Sequence, residues 1–456
     1  MAHDELRRNL TQSTDSTKGT GLIRHDYSST FCTKTLTKKL IFLDETTLKY
    51  EIEQYRQQNN KAICNIVDSL LSQAESALTR GPYSVTDKTA IAPSQKKNDY
   101  FTIAPYFWPN PNSSDGLPYI SIDGKRVPGT KLYEPESDRY DRTRIQYLFD
   151  DSLISVLAWC FSGNKKYAEH AANLLNVFFL DPNTRMNPHL EFAQVRRGHN
   201  DDKGFRTGII ELKDFYFYLD AVRILDEFGF LNDTQTGKFE EWVSEYLGWL
   251  LKSIQGQEEA EADNNHGTYY DLQVASLASF LNQTETLDQT FERSINRILQ
   301  QISFDGSQPK ELKRTLSKHY CCFNLQGWSR LCTLSSRYDF DLFGYQSKKG
   351  KSLTKAFSWF INKCSEPWEH KQIEEYDNDR VYPLIIFLDA ELDHFGNRDS
   401  FKESAFEIKP IFFPHDGVQP FWNLSAKRLT KKYVLNRILL SQNETKTPST
   451  ALLDIL

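Results

Sequence analysis

The sequence predicts an all-α fold, an incomplete (α/α) toroid of antiparallel helical hairpins with long loops lining a groove. Three observations predict it. Apolar residues recur at helical spacing in one segment after another, the segments are joined by turns of varied length, and no fixed repeat period links them. A single stretch, residues 81–135, breaks the pattern with dense Pro, Gly and aromatic residues. Loops of that length are uncommon unless they serve a purpose.

Taken in order, residues 1–35 are polar and Ser/Thr-rich and are expected to form a largely unstructured leader. The toroid is expected over 36–400. Leu48, Ile52 and Tyr55 open the first helix, and Ile63, Ile66, Leu70 and Leu71 the second. After the long loop, Tyr147, Leu148, Leu153, Ile154 and Leu157 mark one helix. Tyr167, Ala171, Leu174, Leu175 and Phe178 mark the next, beyond the turn "SGNKK". Phe239, Trp242, Val243, Tyr246, Leu247 and Leu250 form the cleanest buried stripe. Tyr270, Val274, Leu277, Ala278 and Leu281 form another, and further helices are expected at 288–302, 323–336, 353–363 and 380–395. Residues 401–456, including "KPIFFPHDGVQPFWNL", read as an irregular C-terminal wrap with a short terminal helix.

The chain has 456 residues, beyond the usual single compact domain but within reach of one large toroid. Thirty Phe, 22 Tyr and 8 Trp against 2 Met suit thick helical packing, and also a groove where sugar faces stack on rings. A net charge of −6 argues against a nucleic-acid partner. Seven cysteines without CxxC spacing indicate neither a metal site nor a disulfide framework, and no cofactor is expected. The start, "MAHDELRRNLTQSTDSTKGTG", lacks the apolar run of a signal peptide, and no later segment could span a bilayer. A soluble monomer is therefore expected. Six N-x-S/T triplets, at Asn9, Asn112, Asn232, Asn282, Asn423 and Asn443, would suit a secreted protein.

Two segments carry candidate chemistry. In "EADNNHGTYYDLQ" (261–273), Asn264, Asn265 and His266 precede a helix expected to begin near Thr268, with Thr268 as N-cap and Asp271 in a capping-box relation. The first turn presents unpaired N–H groups and the positive dipole end. An amide and an imidazole beside it make a receptor for a carboxylate. The competing reading is a plain turn with a loop histidine. In "DGSQPKELKRTLSKHY" (305–320), Arg314 and Tyr320 sit among Lys310, Lys313, Lys318 and His319. An extended chain would hold Arg314 and Tyr320 roughly 20 Å apart and a helix roughly 9 Å, so a shared site requires a bend. Arg314 nearby would favour the phenolate of Tyr320. The competing reading is a solvated basic loop.

Together Asn265, His266, Arg314 and Tyr320 are the groups that β-elimination in a uronic acid needs. Donors and a cation neutralise the sugar carboxylate, a base takes the C5 proton, and an acid protonates the departing oxygen at C4. "NNHGTYYDLQ", "DGSQPKELKRTLSKHYCCFNL", "RTGIIELKDFYFYLDAV" (206–222) and "NDYFTIAPYFWPNP...GLPY" together resemble the alginate-lyase-like family of polysaccharide lyases, over about residues 80–370. The resemblance implies an α/α toroid that cleaves β-1,4-linked uronans such as polymannuronate or glucuronan without a metal. It places the catalytic Asn-His pair on Asn265 and His266, the arginine on Arg314 and the tyrosine on Tyr320. His266 would neutralise the carboxylate or act as base for the alternative epimer, and Tyr320 would be base and acid on the syn route. The segment "RRGHNDDKGFRTG" is longer and more charged than the family pattern, and the "SKH" before Tyr320 is more basic. The family implies an extracellular or periplasmic site, against the missing signal.

Along the groove, Tyr106, Phe107 and Trp108 are candidates for a stacking platform. Gln194, Arg206, Asn264 and His319 are candidate substrate-binding residues, Arg206 being preferred among Arg196, Arg197, His199 and Arg206. The acidic run Glu258, Glu259, Glu261, Asp263 is expected to be solvated and away from an acidic polysaccharide, and His370 to be structural. Two other readings stand beside the lyase. One is a non-catalytic polyuronate-binding relative. The other is a helical-toroid glycoside hydrolase using Asp150, Asp151 or Glu211.

Overall fold

Gly163 and Asn164 show how the hairpins are made. Gly163, at φ 71°, ends the helix Arg142–Ser162 by donating its N–H to Trp159 O at 2.7 Å. Asn164 then starts the next helix, its side chain accepting the Lys166 N–H. The turn read as "SGNKK" thus stops one helix and caps its antiparallel partner. The computed structural model describes residues 30–125, 139–364, 366–394 and 417–424.

The described helices are α1 (Thr30–Thr33), α2 (Glu45–Gln57), α3 (Lys61–Ala77), α4 (Arg142–Ser162), α5 (Lys165–Leu175), α6 (Phe215–Glu227) and α7 (Asp233–Lys252). They continue with α8 (Ile254–Ala260), α9 (Asn265–Phe280), α10 (Thr284–Gln301), α11 (Pro309–Leu312), α12 (Ser317–Ser336), α13 (Leu353–Cys364) and α14 (Tyr382–His394). Helices α4, α6, α9 and α12 pack side by side in that order, and α3, α5, α7, α10 and α13 back them from outside. This is the inner and outer ring of an α/α toroid. On α7 the buried residues are Phe239, Trp242, Val243, Tyr246, Leu247 and Leu250, the stripe expected from sequence. Inner helices are buried on all sides, α4 from Leu148 to Phe161 and α9 from Gly267 to Ser279.

The all-α expectation is met, with four short strands added among the described residues, while finer expectations need correction. Strand β1 (Phe101–Ile103) pairs in parallel with β4 (Phe192–Val195), and β2 (Phe107–Trp108) pairs antiparallel with β3 (Ile120–Ser121). These strands stiffen the long aromatic loop. The polar leader does not run to residue 35. Residues 1–29 lie outside the described residues, but Phe31 is fully buried against Trp159 and Phe228. Glu227 then takes Lys34, the Thr37 hydroxyl and the Lys38 N–H. Of the C-terminal wrap only 417–424 is described, and it enters the core rather than covering it. Gly417 O accepts from Tyr216 and its N–H donates to Gln326, both at 3.1 Å, with Phe421, Trp422 and Leu424 buried. Helices α10 and α12 start four and six residues earlier than expected, at Thr284 and Ser317. All seven cysteines are free thiols, and among the described residues no helix is long and apolar enough to cross a membrane.

Candidate active site

The site forms where α9 and α12 begin. The cap of α9 is Asn264, whose side chain accepts the His266 N–H at 3.2 Å, and the helix starts at Asn265. Thr268 therefore does not cap the helix. It lies inside the first turn with its hydroxyl on the Gln301 amide. Asp271 is likewise not part of a capping box, because it is buried against Arg293 and Arg297, both at 2.7 Å. Arg297 also donates to the carbonyls of Ala260 and Ala262 and so clamps the turn that leads into the site. Gly267 is required there: a Cβ would collide with the Arg297 guanidinium.

Glu259 is the largest surprise. It was expected in a solvated acidic run, yet its side chain is fully buried at the end of α8. One carboxylate oxygen meets His266 Nδ1 at 2.6 Å and the other Arg206 Nη1 at 2.6 Å. A carboxylate on Nδ1 fixes the ring and leaves Nε2 as the free nitrogen, the arrangement that suits a base. Arg206 is therefore engaged with Glu259 and not waiting unpaired for a sugar carboxylate. Asn264 is likewise occupied as the cap.

Asn265 is completely buried, and both its N–H (2.6 Å) and its amide NH2 (2.9 and 3.0 Å) donate to Glu311 on α11. Its Oδ1 is buried without a partner. Burial raises the pKa of Glu311; the two Asn265 hydrogen bonds, Arg314 and His266 oppose that. Glu311 is the link that sets the α9 start beside Arg314.

The bend required between Arg314 and Tyr320 exists. The short α11 ends at Leu312, Arg314 N–H turns back to Glu311 O, and α12 starts at Ser317. The Arg314 guanidinium lies 3.7 Å from the centroid of the Tyr320 ring, a close cation–π contact. Asp123, just past β3, holds Arg314 through Nη2 (2.6 Å) and Nε (3.2 Å) and also receives the Thr315 N–H. Tyr106 reaches in from the aromatic loop, its hydroxyl 3.1 Å from that of Tyr320. Arg314 does favour the phenolate, as expected, but it is outweighed. Burial pushes Tyr320 well above the usual tyrosine range and Tyr106 adds to the rise, while Arg314 pulls the other way without prevailing. Tyr320 is a neutral phenol at rest.

Other candidates have partners of their own, and His319 lies beside the centre, its ring 5.1 Å from that of Tyr320. Trp108 donates its indole N–H to Lys125 O and so pins the loop to itself. Gln194 lies in β4 at φ 52°, its N–H on the Thr102 hydroxyl. His319 meets Arg380 through Nδ1 at 2.6 Å and stacks on Phe323. Arg196 is sandwiched between Phe107 and Phe205, at 4.4 and 3.9 Å. Sequence reasoning missed Glu259, Glu311 and Asp123. Only Glu259 left a signal, seven residues before His266 and followed by the small Ala260.

Residues 84–370 match the alginate lyase family, well over half of the chain. The chain belongs to the alginate lyase family. It is similar to a solved alginate lyase from Bacteroides ovatus, at 31% identity and a TM-score of 0.72, over 78% of this chain and 92% of that one. A weaker likeness joins it to alginate lyase A1-III from Sphingomonas species A1, at 14% identity and a TM-score of 0.48, over 79% and 94% of the two chains. None of the curated proteins matches. The family makes this a polysaccharide lyase with an acidic polysaccharide as substrate, built on the mostly helical toroid described above.

Proposed function

We propose that this lyase cleaves β-1,4-linked uronic acid polymers, polymannuronate or glucuronan, by β-elimination at the mouth of α9 and α12. The observation that carries the reading is the pairing of two proton-transfer groups in different states. His266 has its Nδ1 on buried Glu259 and its Nε2 free, while Tyr320 is a buried neutral phenol under Arg314. In the elimination, a base takes the C5 proton, the C4–O bond breaks as the C4–C5 double bond forms, and the departing oxygen receives a proton. On the syn route of these two polymers Tyr320 is suited to both transfers, and His266 Nε2 to taking the C5 proton of the opposite epimer. Tyr320 can serve as the base only after losing its own proton, and Tyr106 at 3.1 Å is the route by which it could leave.

Arg314, though held by Asp123, lies over the Tyr320 ring and is the cation best placed to meet the charge that develops on the carboxylate as C5 loses its proton. Asn265 has both amide donors on Glu311 and its Oδ1 buried, so it has no donor left for a bare carboxylate. The hydrolase alternative loses its groups. Asp151 is buried under Arg80 and Tyr83, Asp150 shares the Gln146 amide with Asp214, and Glu211 is held by Tyr100, Thr102 and Arg142. Two such enclosed carboxylates cannot flank a glycosidic bond.

The test is ultraviolet absorbance of the unsaturated 4,5-bond on polymannuronate, polyguluronate, glucuronan and hyaluronan. Tyr320→Phe should lower turnover by roughly 100-fold or more with substrate binding largely kept. New reducing ends without the absorbance would establish hydrolysis, and binding without cleavage a non-catalytic relative. Near-normal turnover in Tyr320→Phe would remove the tyrosine from the proton transfer.

A further inference from the structure

Arg196 follows β4 and opens the segment "RRGHNDDKGFRTG", where the chain departs from the family pattern. Its guanidinium lies between the Phe107 and Phe205 rings, 4.4 and 3.9 Å from their centroids, so cation–π contacts hold it from two sides. Its polar atoms are far less well served. Nε is enclosed, and Nη2 reaches the Thr207 hydroxyl only at 3.5 Å, the outer limit of a hydrogen bond. Nη1 has no partner among the described residues, and it is not enclosed: Arg196 is half-buried and this atom keeps access to solvent.

The charge here is unbalanced. Burial, and after it the nearby Arg206 charge, pull the Arg196 pKa below the ordinary arginine value, and no carboxylate opposes them. Arg206 has its own partner in Glu259 at 2.6 Å, and the other oxygen of Glu259 is spent on His266. Two guanidiniums therefore share one carboxylate, which leaves a positive charge uncompensated. The acids of the same loop are turned elsewhere. Asp202 takes the Gly198 N–H at 2.8 Å, Glu191 pairs with Lys203 at 2.9 Å, and Asp201 also acts on Lys203. A half-buried cation pair with one counter-charge is stabilised when a further anion joins it.

Two routes tie Arg196 to the proposed cleavage centre. Phe107 directly follows Tyr106, whose hydroxyl is 3.1 Å from that of Tyr320. Thr207 directly follows Arg206, which reaches His266 through Glu259. Arg196 touches neither Tyr320 nor His266, so it flanks the centre without entering it. We propose that Arg196 is a substrate-binding residue, which takes through Nη1 the carboxylate of a uronate next along the polymer from the one cleaved. The inference rests on the polyuronate reading above and adds a point at which acidic sugars are chosen over neutral ones. A neutral sugar at this place would leave the guanidinium without its counter-charge.

Titration calorimetry with a mannuronate oligomer tests it, in the full chain carrying Tyr320→Phe so that the sugar stays intact. Adding Arg196→Gln should weaken binding roughly tenfold or more. Adding Arg196→Lys instead, which keeps the charge, should weaken it clearly less. Binding unchanged by Arg196→Gln would take Arg196 out of the groove. Equal losses in the Gln and Lys variants would make the stacked side chain a support for the loop and not a receptor for charge. No binding of the oligomer to the Tyr320→Phe chain would remove the ligand itself. Each of these three results overturns the proposal. Ultraviolet absorbance of the unsaturated bond, followed in the native protein, reads the elimination separately: its absence would end that reading and leave the binding comparison standing.

Discussion

Helices α7 and α9 are neighbours with opposite designs. The outer α7 opens on a capping box of Asn232 and Gln235, buries one stripe of six apolar residues, and leaves the rest to solvent. The inner α9 is buried from Gly267 to Ser279, and Thr268, Asp271, Gln273, Ser276 and Ser279 are buried with the apolar residues. An outer helix is held by area removed from water, which is non-directional. The inner helix must also satisfy each polar group it buries, and those obligations run directly into the site through Asp271, Arg297 and the carbonyls of Ala260 and Ala262. A helix with directional commitments can hold catalytic groups in register; one held by area alone cannot.

The contrast can be broken at its strongest point. Asp271→Ala leaves Arg297, whose side chain is 2% exposed, as an uncompensated buried charge. The expected loss is about 3–5 kcal/mol in denaturant unfolding, and activity should fall with it because the turn before α9 is released. Leu247→Ala on α7 should cost about 2–5 kcal/mol by the same measurement, yet the folded fraction should keep its specific activity. A site defect in Leu247→Ala, or none in Asp271→Ala, would erase the distinction. The smallest effect concerns the N-terminal strap. Lys34, the Thr37 hydroxyl and the Lys38 N–H hold Glu227 down at about 2 from an ordinary 4.5, against the opposing effect of burial. A depressed carboxylate contributes above the unfolded value and loses that contribution as pH falls from about 4.5 toward 2. Glu227→Gln should therefore melt lower than the native protein at pH 7, with the gap closing in acid.

How legible each part was follows from the same contrast. The α7 stripe was read residue for residue, because a helix packed on one face writes its period into the sequence. The four motifs brought out His266 and Tyr320, and the structure sets their helix starts side by side. The supports were not legible. Glu311 contacts Asn265 across 46 residues and Asp123 contacts Arg314 across 191, and a lone carboxylate carries no mark of its partner. Glu259 was misread because acidic runs are ordinarily solvated, whereas burial against both a histidine and an arginine made this one affordable. Thr268 and Asn264 are both of residue types that cap well, and only the backbone decides between them. The strands of the aromatic loop, two to four residues each, are too short to show alternation.

Gly417 gives the ring a late keystone. Tyr216 on α6, Tyr269 on α9 and Gln326 on α12 all close around it, and a Cβ there would run into the Tyr269 hydroxyl. A chain made from its N-terminus assembles these helices long before residues 417–424 are available. Until then the Tyr216 hydroxyl and the Gln326 side chain lack the backbone partner that they have in the finished fold.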